Sequence, residues 1–129
     1  MAGRRILVVE DNPLNLKLVR DVLTAFGYDI VEAQTGEDGV RLAGECGPDL
    51  VLMDLQLPGI DGYEALRRIR QDARVDGVPV VAVTAFAMRE DRERTAAAGF
   101  DGYLSKPISV RDLPSQVDAF LGDGRRDGG

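Results

Sequence analysis

Short apolar runs alternate with longer stretches of helical spacing along almost the whole chain. The apolar runs predict five strands, at about residues 5–9, 28–33, 50–54, 78–83 and 102–104. Between the runs, apolar residues recur at the spacing of a helix, as Leu14, Leu18 and Val22 do. One helix is therefore predicted after each strand, at about residues 13–26, 36–46, 62–72, 87–98 and 109–121.

Residues with special backbone chemistry mark several of these boundaries. Asn12 and Pro13 are typical of a helix start, with Asn as the N-cap and Pro at the first helical position. Gly27 predicts the end of that helix, and Thr35 predicts the cap of the next. Pro114 lies inside the last predicted helix, where it removes a backbone bond. Either the first turn of this last helix is distorted or the helix starts near Leu113.

The strict alternation of strands and helices predicts an α/β fold. The first, third and fourth strands are continuously apolar, as expected for central parallel strands that are buried on both faces. Right-handed crossovers then give a doubly wound, flavodoxin-like (βα)5 fold with a five-stranded parallel sheet in a single domain. Residues 122–129, which contain only Gly, Asp and Arg, are expected to form a disordered tail.

Polar side chains stand at the ends of four predicted strands. Asp54 ends the third strand, and Glu10 and Asp11 follow the first. Thr84 follows the fourth strand, and Lys106 follows the fifth. Because ligands bind at the carboxyl edge of an open parallel sheet, we expect these residues to form one polar site.

The three acids of this site predict a bound cation. Glu10, Asp11 and Asp54 would repel one another unless a positive ion lay among them. The chain has no histidine and a single cysteine, Cys46, so the candidate ligands are oxygen atoms. This ligand chemistry favours a hard ion, Mg²⁺ above the others. A carboxylate nucleophile, a divalent cation, a hydroxyl and an ammonium group suit phosphoryl transfer.

Other nucleotide and phosphate chemistries fail on particular residues. A dinucleotide site requires a glycine-rich loop after the first strand, but Glu10, Asp11, Asn12 and Pro13 occupy that position. No Walker-type Gly-Lys-Ser/Thr sequence is present. A phosphatase of the haloacid dehalogenase kind would carry a second acid two residues after Asp54, where this chain has Gln56.

The net charge and the apolar content of the chain restrict the kinds of molecule that it can bind. The 129 residues carry a formal net charge of −6, which argues against direct binding to DNA or to an anionic membrane. No apolar stretch reaches the length of a membrane span, and the short run that ends in Glu10 and Asp11 cannot serve as a secretion signal. We therefore expect a cytoplasmic protein.

Four motifs, in this order and spacing, resemble those of the receiver domains of two-component response regulators over about residues 4–121. They are Val-Val-Glu-Asp-Asn, Leu-Met-Asp-Leu-Gln-Leu-Pro-Gly-Ile-Asp-Gly, Val-Thr-Ala and Lys-Pro. Three segments most resemble single-domain receivers of the cell-cycle type and receivers of hybrid kinases: Asp11 to Asn15, Val83 to Met88 and Lys106 to Val110.

The resemblance implies a role for each site residue. Asp54 would be the phosphoacceptor, and Mg²⁺ would bind Asp11, Asp54 and the backbone carbonyl of Gln56, with Glu10 acting through water. Thr84 and Lys106 would bind the phosphoryl oxygens, and Tyr103, with Thr84, would be the switch residue. The bond between Lys106 and Pro107 would be cis.

These residues leave three candidate functions. The first is a signalling module without an output domain, which accepts a phosphoryl group from a histidine kinase or histidine phosphotransfer protein and then contacts a downstream protein. Its only enzymatic activities would be self-phosphorylation from a phosphodonor and autodephosphorylation. The second is a binding module that is never phosphorylated, and the third is a Mg²⁺-dependent phosphatase, which Gln56 disfavours. The initiating Met and the short tail favour a free-standing protein.

Overall fold

A computed structural model describes residues 3–75, 77–85 and 88–121. The described residues form five strands, five α-helices and one short 3-10 turn. The strands are β1 (Arg5–Val9), β2 (Asp29–Ala33), β3 (Leu50–Asp54), β4 (Val80–Thr84) and β5 (Gly102–Ser105). The α-helices are α1 (Pro13–Ala25), α2 (Gly36–Cys46), α3 (Gly62–Arg70), α4 (Arg89–Ala98) and α5 (Leu113–Phe120), and the 3-10 turn is Ala73–Val75.

All strand pairs are parallel, and the strand order is β2-β1-β3-β4-β5. The order reverses beside β1, so the chain winds from the first strand to one edge of the sheet and then to the other. This is the doubly wound α/β fold, which confirms the predicted fold class. None of the helices formed by the described residues has the length and apolar character that a bilayer-spanning segment requires.

The core lies on both faces of the sheet, because alternate residues of each strand point to opposite sides. On one face, Leu7, Val51 and Val80 pack beneath α2 and α3. On the other face, Ile6, Leu50 and Val81 pack against apolar residues of α1 and α5. The central strands β1, β3 and β4 are therefore covered on both sides, which explains their continuously apolar sequences.

Two predicted boundaries moved for reasons of hydrogen bonding. β4 begins at Val80 rather than residue 78, because Pro79 has no N–H to give to a strand ladder. α5 begins at Leu113, not residue 109, and Pro114 lies in its first turn, where the missing N–H costs nothing. Of the two alternatives for Pro114, the late start is the one observed. The predicted start of α4 at residue 87 and the predicted tail at residues 122–129 lie outside the described residues.

Candidate functional site

The sheet brings the polar strand ends together at its carboxyl edge. In the strand register, Val9 lies beside Met53, Asp54 beside Val83, and Thr84 beside Ser105. The residues that end or follow these strands therefore converge, although they come from distant parts of the chain.

Glu10, Asp11 and Asp54 form an acidic cluster at this edge. One carboxylate oxygen from each residue lies within 4.8 Å of the others. Glu10 and Asp54 are buried, whereas Asp11 is exposed. The cluster thus has a buried floor and one acid open to solvent.

Lys106 bridges the two buried acids. Its Nζ donates to Oδ2 of Asp54 at 2.9 Å and lies 3.1 Å from Oε1 of Glu10. Only a fifth of the Lys106 side chain is exposed. The three carboxylates and this one ammonium leave a formal charge of −2 at the site.

The buried environment changes the acid–base behaviour of two of these groups. Burial raises the pKa of Glu10 above its ordinary value, and the charge of Asp54 adds to this, while the bonds from Asn12 and Lys106 oppose it. For Lys106, burial lowers the pKa, but the contacts with Asp54 and Glu10 outweigh it and leave the pKa raised. Lys106 is therefore a firmly charged ammonium group at neutral pH.

Backbone N–H groups orient the two buried acids. The N–H of Gln56 donates to Oδ1 of Asp54 at 3.0 Å, and the N–H of Asn12 donates to Oε2 of Glu10 at 3.1 Å. The side chain of Asn12 caps α1 by accepting from the N–H groups of Leu14 and Asn15. Asp11 is thereby fixed between the end of β1 and the start of α1.

Gly62, at the start of α3, allows the chain to pass close behind Asp54. A Cβ atom on Gly62 would lie 2.6 Å from the carbonyl oxygen of Asp54 and 2.8 Å from Cα of Leu55. The N–H of Gly62 also donates to the carbonyl of Leu55 at 3.1 Å. The glycine of the Ile-Asp-Gly motif is thus a packing requirement of the site.

Thr84 and the cis bond between Lys106 and Pro107 lie on the other side of the cluster. Thr84 is buried at the end of β4, and its carbonyl accepts from the N–H of Lys106 at 2.8 Å. Thr84 also lines a pocket of about 200 Å³ together with Gln56, Asp61, Tyr63 and Arg94, besides Leu55 and Asp91. Gln56 is exposed on the loop after β3 and is one of the residues that line this pocket.

Two arginines of α4 have contacts that sequence reasoning missed. Arg92 donates to the hydroxyl of Tyr103 at 3.0 Å, and Arg94 lies 4.6 Å from the ring centre of Tyr63. By itself, the charged sequence of α4 indicates only a solvated face with ion pairs four residues apart, and the pair of Arg89 and Glu93 is of that kind. The aromatic partners lie on α3 and β5, so no local spacing marked them.

Comparison with known proteins gives the class of this fold and site. The family model for the response regulator receiver domain matches residues 6–118. The chain belongs to this family. It is 43% identical over 120 residues to the polar-differentiation response regulator DivK of Brucella ovis, a match that covers 93% of this chain and 98% of the relative.

Solved structures agree with this assignment. The receiver domain of the sensor histidine kinase PA1611 of Pseudomonas aeruginosa PAO1, which has a magnesium ion coordinated in its active-site cleft, is 39% identical with a TM-score of 0.85. The match covers 94% of this chain and 99% of that domain. The chemotaxis response regulator CheY4 of Vibrio cholerae is 22% identical with a TM-score of 0.87, covers 92% of this chain and 98% of its own, and shares the fold.

Membership defines the general function. The chain is a receiver domain of two-component signalling, whose members are signalling proteins rather than enzymes in the usual sense. Two-component signalling implies a histidine kinase as a partner.

Proposed function

We propose that this receiver accepts a phosphoryl group onto Asp54 from a histidine kinase or a histidine phosphotransfer protein, and then signals through contact with a downstream protein. The observation that carries this proposal is the position of Asp54. It is a buried carboxylate that contacts Lys106 at 2.9 Å and lies within 4.8 Å of two further acids. A purely structural carboxylate has no need of such a charged neighbourhood.

In the proposed reaction, a carboxylate oxygen of Asp54 attacks the phosphorus of a phosphohistidine. The new O–P bond forms an acyl phosphate, while the P–N bond breaks and its electron pair, with a proton, goes to the departing imidazole. Lys106, already beside Asp54, would turn its ammonium toward the phosphoryl oxygens, and the hydroxyl of Thr84 would donate to another. Water later attacks the phosphorus of the acyl phosphate, which releases inorganic phosphate and restores the carboxylate.

The acid cluster suits Mg²⁺. At an effective dielectric constant of about 20, two carboxylates 4.8 Å apart repel each other by about 3.5 kcal/mol, so a divalent ion would be bound favourably. Asp11, Asp54 and the carbonyl of Gln56 would hold the ion directly, and Glu10 would act through water. When bound, Mg²⁺ would neutralise charge on the transferring phosphoryl group. The magnesium in the cleft of the Pseudomonas receiver supports this choice of ion.

We further propose that phosphorylation is transmitted through Thr84 to Tyr103. Thr84 ends β4, and Tyr103 lies on the adjacent β5, where it pairs with Ala82. Movement of Thr84 toward a phosphoryl oxygen would open space into which Tyr103 could turn. Phe86 and Ala87 follow Thr84 closely in the sequence and would take part in this change, but they lie outside the described residues.

The wider setting follows from the same proposal. We expect one receiver domain over residues 4–121 that acts in the cytoplasm. Because the net charge of the chain is −6, we expect the protein to reach its targets through contacts with other proteins and not through direct binding to DNA.

Incubation with acetyl phosphate and Mg²⁺, followed by intact-mass measurement, tests the proposal. We expect one added phosphate on the wild type, none on Asp54→Asn and none on Asp11→Ala. Asp21→Asn, which changes an exposed acid on α1, is the matched control and should be labelled like the wild type. Equal labelling of Asp54→Asn and wild type would reject Asp54 as acceptor. Failure to label the wild type would favour the alternative of a binding module that is never phosphorylated.

A further inference from the structure

Helix α4 is attached to the fold in an unusual way. Its sequence is Arg-Glu-Asp-Arg-Glu-Arg-Thr-Ala-Ala-Ala, and Thr95 is its buried residue. The preceding residue, Met88, is exposed and provides no side-chain cap for the first turn. A helix normally binds to its domain through an apolar stripe, and within Arg89–Ala98 that stripe is missing.

Arginine–tyrosine contacts take the place of the apolar stripe. Arg92 donates a hydrogen bond to the hydroxyl of Tyr103 on β5 at 3.0 Å and also lies 5.7 Å from the centre of its ring. Arg94 lies over the ring of Tyr63 on α3. The hydroxyl of Thr95 donates to the carbonyl of Arg92 at 2.8 Å, which fixes the backbone from which the Arg92 side chain extends.

We propose that Arg92 is a positioning residue that holds Tyr103 in the orientation of the unphosphorylated state. This inference rests on the proposed function, in which Tyr103 turns when Asp54 is phosphorylated. The guanidinium of Arg92 contacts both the hydroxyl and the ring of Tyr103, so turning the tyrosine side chain away breaks both contacts at once. The contact therefore exists in one state and not in the other.

A contact of this kind sets the balance between the two states. A phosphoryl group shifts an equilibrium only by its difference in affinity for the two conformations, and the Arg92 contact opposes that shift. Removal of the contact raises the fraction of molecules in the competent state, and the apparent affinity for a phosphoryl mimic rises by the same factor while that state is minor.

The first test is the affinity of beryllofluoride, a phosphoryl mimic, for the protein in the presence of Mg²⁺. For Arg92→Met we expect the dissociation constant to fall about fivefold, equivalent to about 1 kcal/mol. Arg89→Met is the matched control, because it removes the same charge from the same helix, has a side chain that is 84% exposed, and pairs with Glu93 rather than with a tyrosine. Its dissociation constant should equal that of the wild type.

Two further variants separate positioning from a general effect of charge. In a Tyr103→Leu background, Arg92→Met should no longer change the dissociation constant, because the group that Arg92 holds is gone. Arg92→Lys should give an intermediate value, since lysine keeps the charge but loses the planar group that contacts both the ring and the hydroxyl.

A second measurement follows the Tyr103 side chain directly. The chain has three tyrosines, so incorporation of 3-fluorotyrosine gives a short ¹⁹F NMR spectrum in which Tyr103 is assigned from Tyr103→Phe. In metal-free protein, Arg92→Met should move the Tyr103 signal toward its position in the beryllofluoride complex, and Arg89→Met should leave it in place.

The outcomes are distinct. An unchanged or larger dissociation constant in Arg92→Met, the same change in Arg89→Met, or an effect that persists in Tyr103→Leu would each overturn the role of Arg92. If the wild type itself binds no beryllofluoride and accepts no phosphate, the proposed function fails. In that case an unmoved ¹⁹F signal of Tyr103 in Arg92→Met still decides against the positioning role.

Discussion

Replacement of Lys106 by Met should destabilise the metal-free protein and at the same time make it more dependent on Mg²⁺. The side chain of Met is similar in length, but it has no charge. In the wild type, the ammonium of Lys106 lies 2.9 Å from Asp54 and 3.1 Å from Glu10, both of which are buried. The substitution leaves these two carboxylates facing each other without a counter-charge.

The distances set the size of the effect. At an effective dielectric constant of about 20, each contact of about 3 Å is worth about 5 kcal/mol of gross attraction, most of which is cancelled by the cost of burying the charges. Loss of one partner of a buried pair usually costs about 3–5 kcal/mol. Because Lys106 keeps some contact with water and Glu10 can bind a proton, we expect about 2–4 kcal/mol, or a fall of roughly 10 °C in melting temperature.

Thermal unfolding in EDTA and in saturating Mg²⁺ measures both parts of the prediction. Lys17→Met is the control, since Lys17 is the only other lysine in the chain and pairs with Asp21 on the exposed surface of α1. It should change stability by less than about 0.5 kcal/mol. Since Lys106 and the proposed Mg²⁺ would compete for the same acids, Mg²⁺ should raise the melting temperature of Lys106→Met more than that of the wild type. If the melting temperatures of Lys106→Met and wild type differ by the same amount in EDTA and in Mg²⁺, this reasoning is refuted.

Two further substitutions test the burial of Glu10 and the packing of Gly62. Folding raises the pKa of Glu10 above its ordinary value of 4.5. Between the pKa of the unfolded state and that of the folded state, the folded protein binds more protons. Wild-type stability therefore falls as the pH rises through that interval. Glu10→Gln should escape this fall, so its stability in EDTA relative to wild type should increase from pH 4 to pH 7 in urea titrations; a decrease would contradict the raised pKa. Gly62→Ala should cost about 1–3 kcal/mol, because its Cβ would meet backbone atoms of Asp54 and Leu55. Gly44→Ala, whose Cβ would meet mainly the movable side chains of Arg74 and Asp72, should cost less in the same titrations, and equal losses would show that contact with backbone is not the reason.

The fold could be predicted from sequence because its signals are local. Apolar runs marked the strands, and Asn12 and Thr35 both accept the capping bonds that their positions predicted. The apolar pattern gave a wrong boundary where a backbone donor is missing. Pro79 has no N–H to donate, and β4 therefore starts only at Val80. The start of α5 at Leu113 follows from Pro114 in the same way.

The candidate site could be located from sequence because parallel strands deliver their ends to one edge. This rule was sufficient to bring Glu10, Asp54 and Lys106 together, and the observed contacts agree with it. It could not predict that Lys106 bridges both acids, or that Arg92 contacts Tyr103, because side-chain partners across elements depend on the exact packing of helices on the sheet. Those contacts leave no periodic mark in the sequence.

The order of the strands has a consequence for the life of the protein in the cell. The acids come from the first and third strands and the lysine follows the last, so nearly the whole chain must be synthesised and paired before the constellation exists. A nascent chain, or a fragment cut before β5, would carry the acids but lack the ammonium beside them. Under the proposed function, a copy that ends before β5 would therefore signal poorly, because it lacks one of the groups that would bind the phosphoryl oxygens.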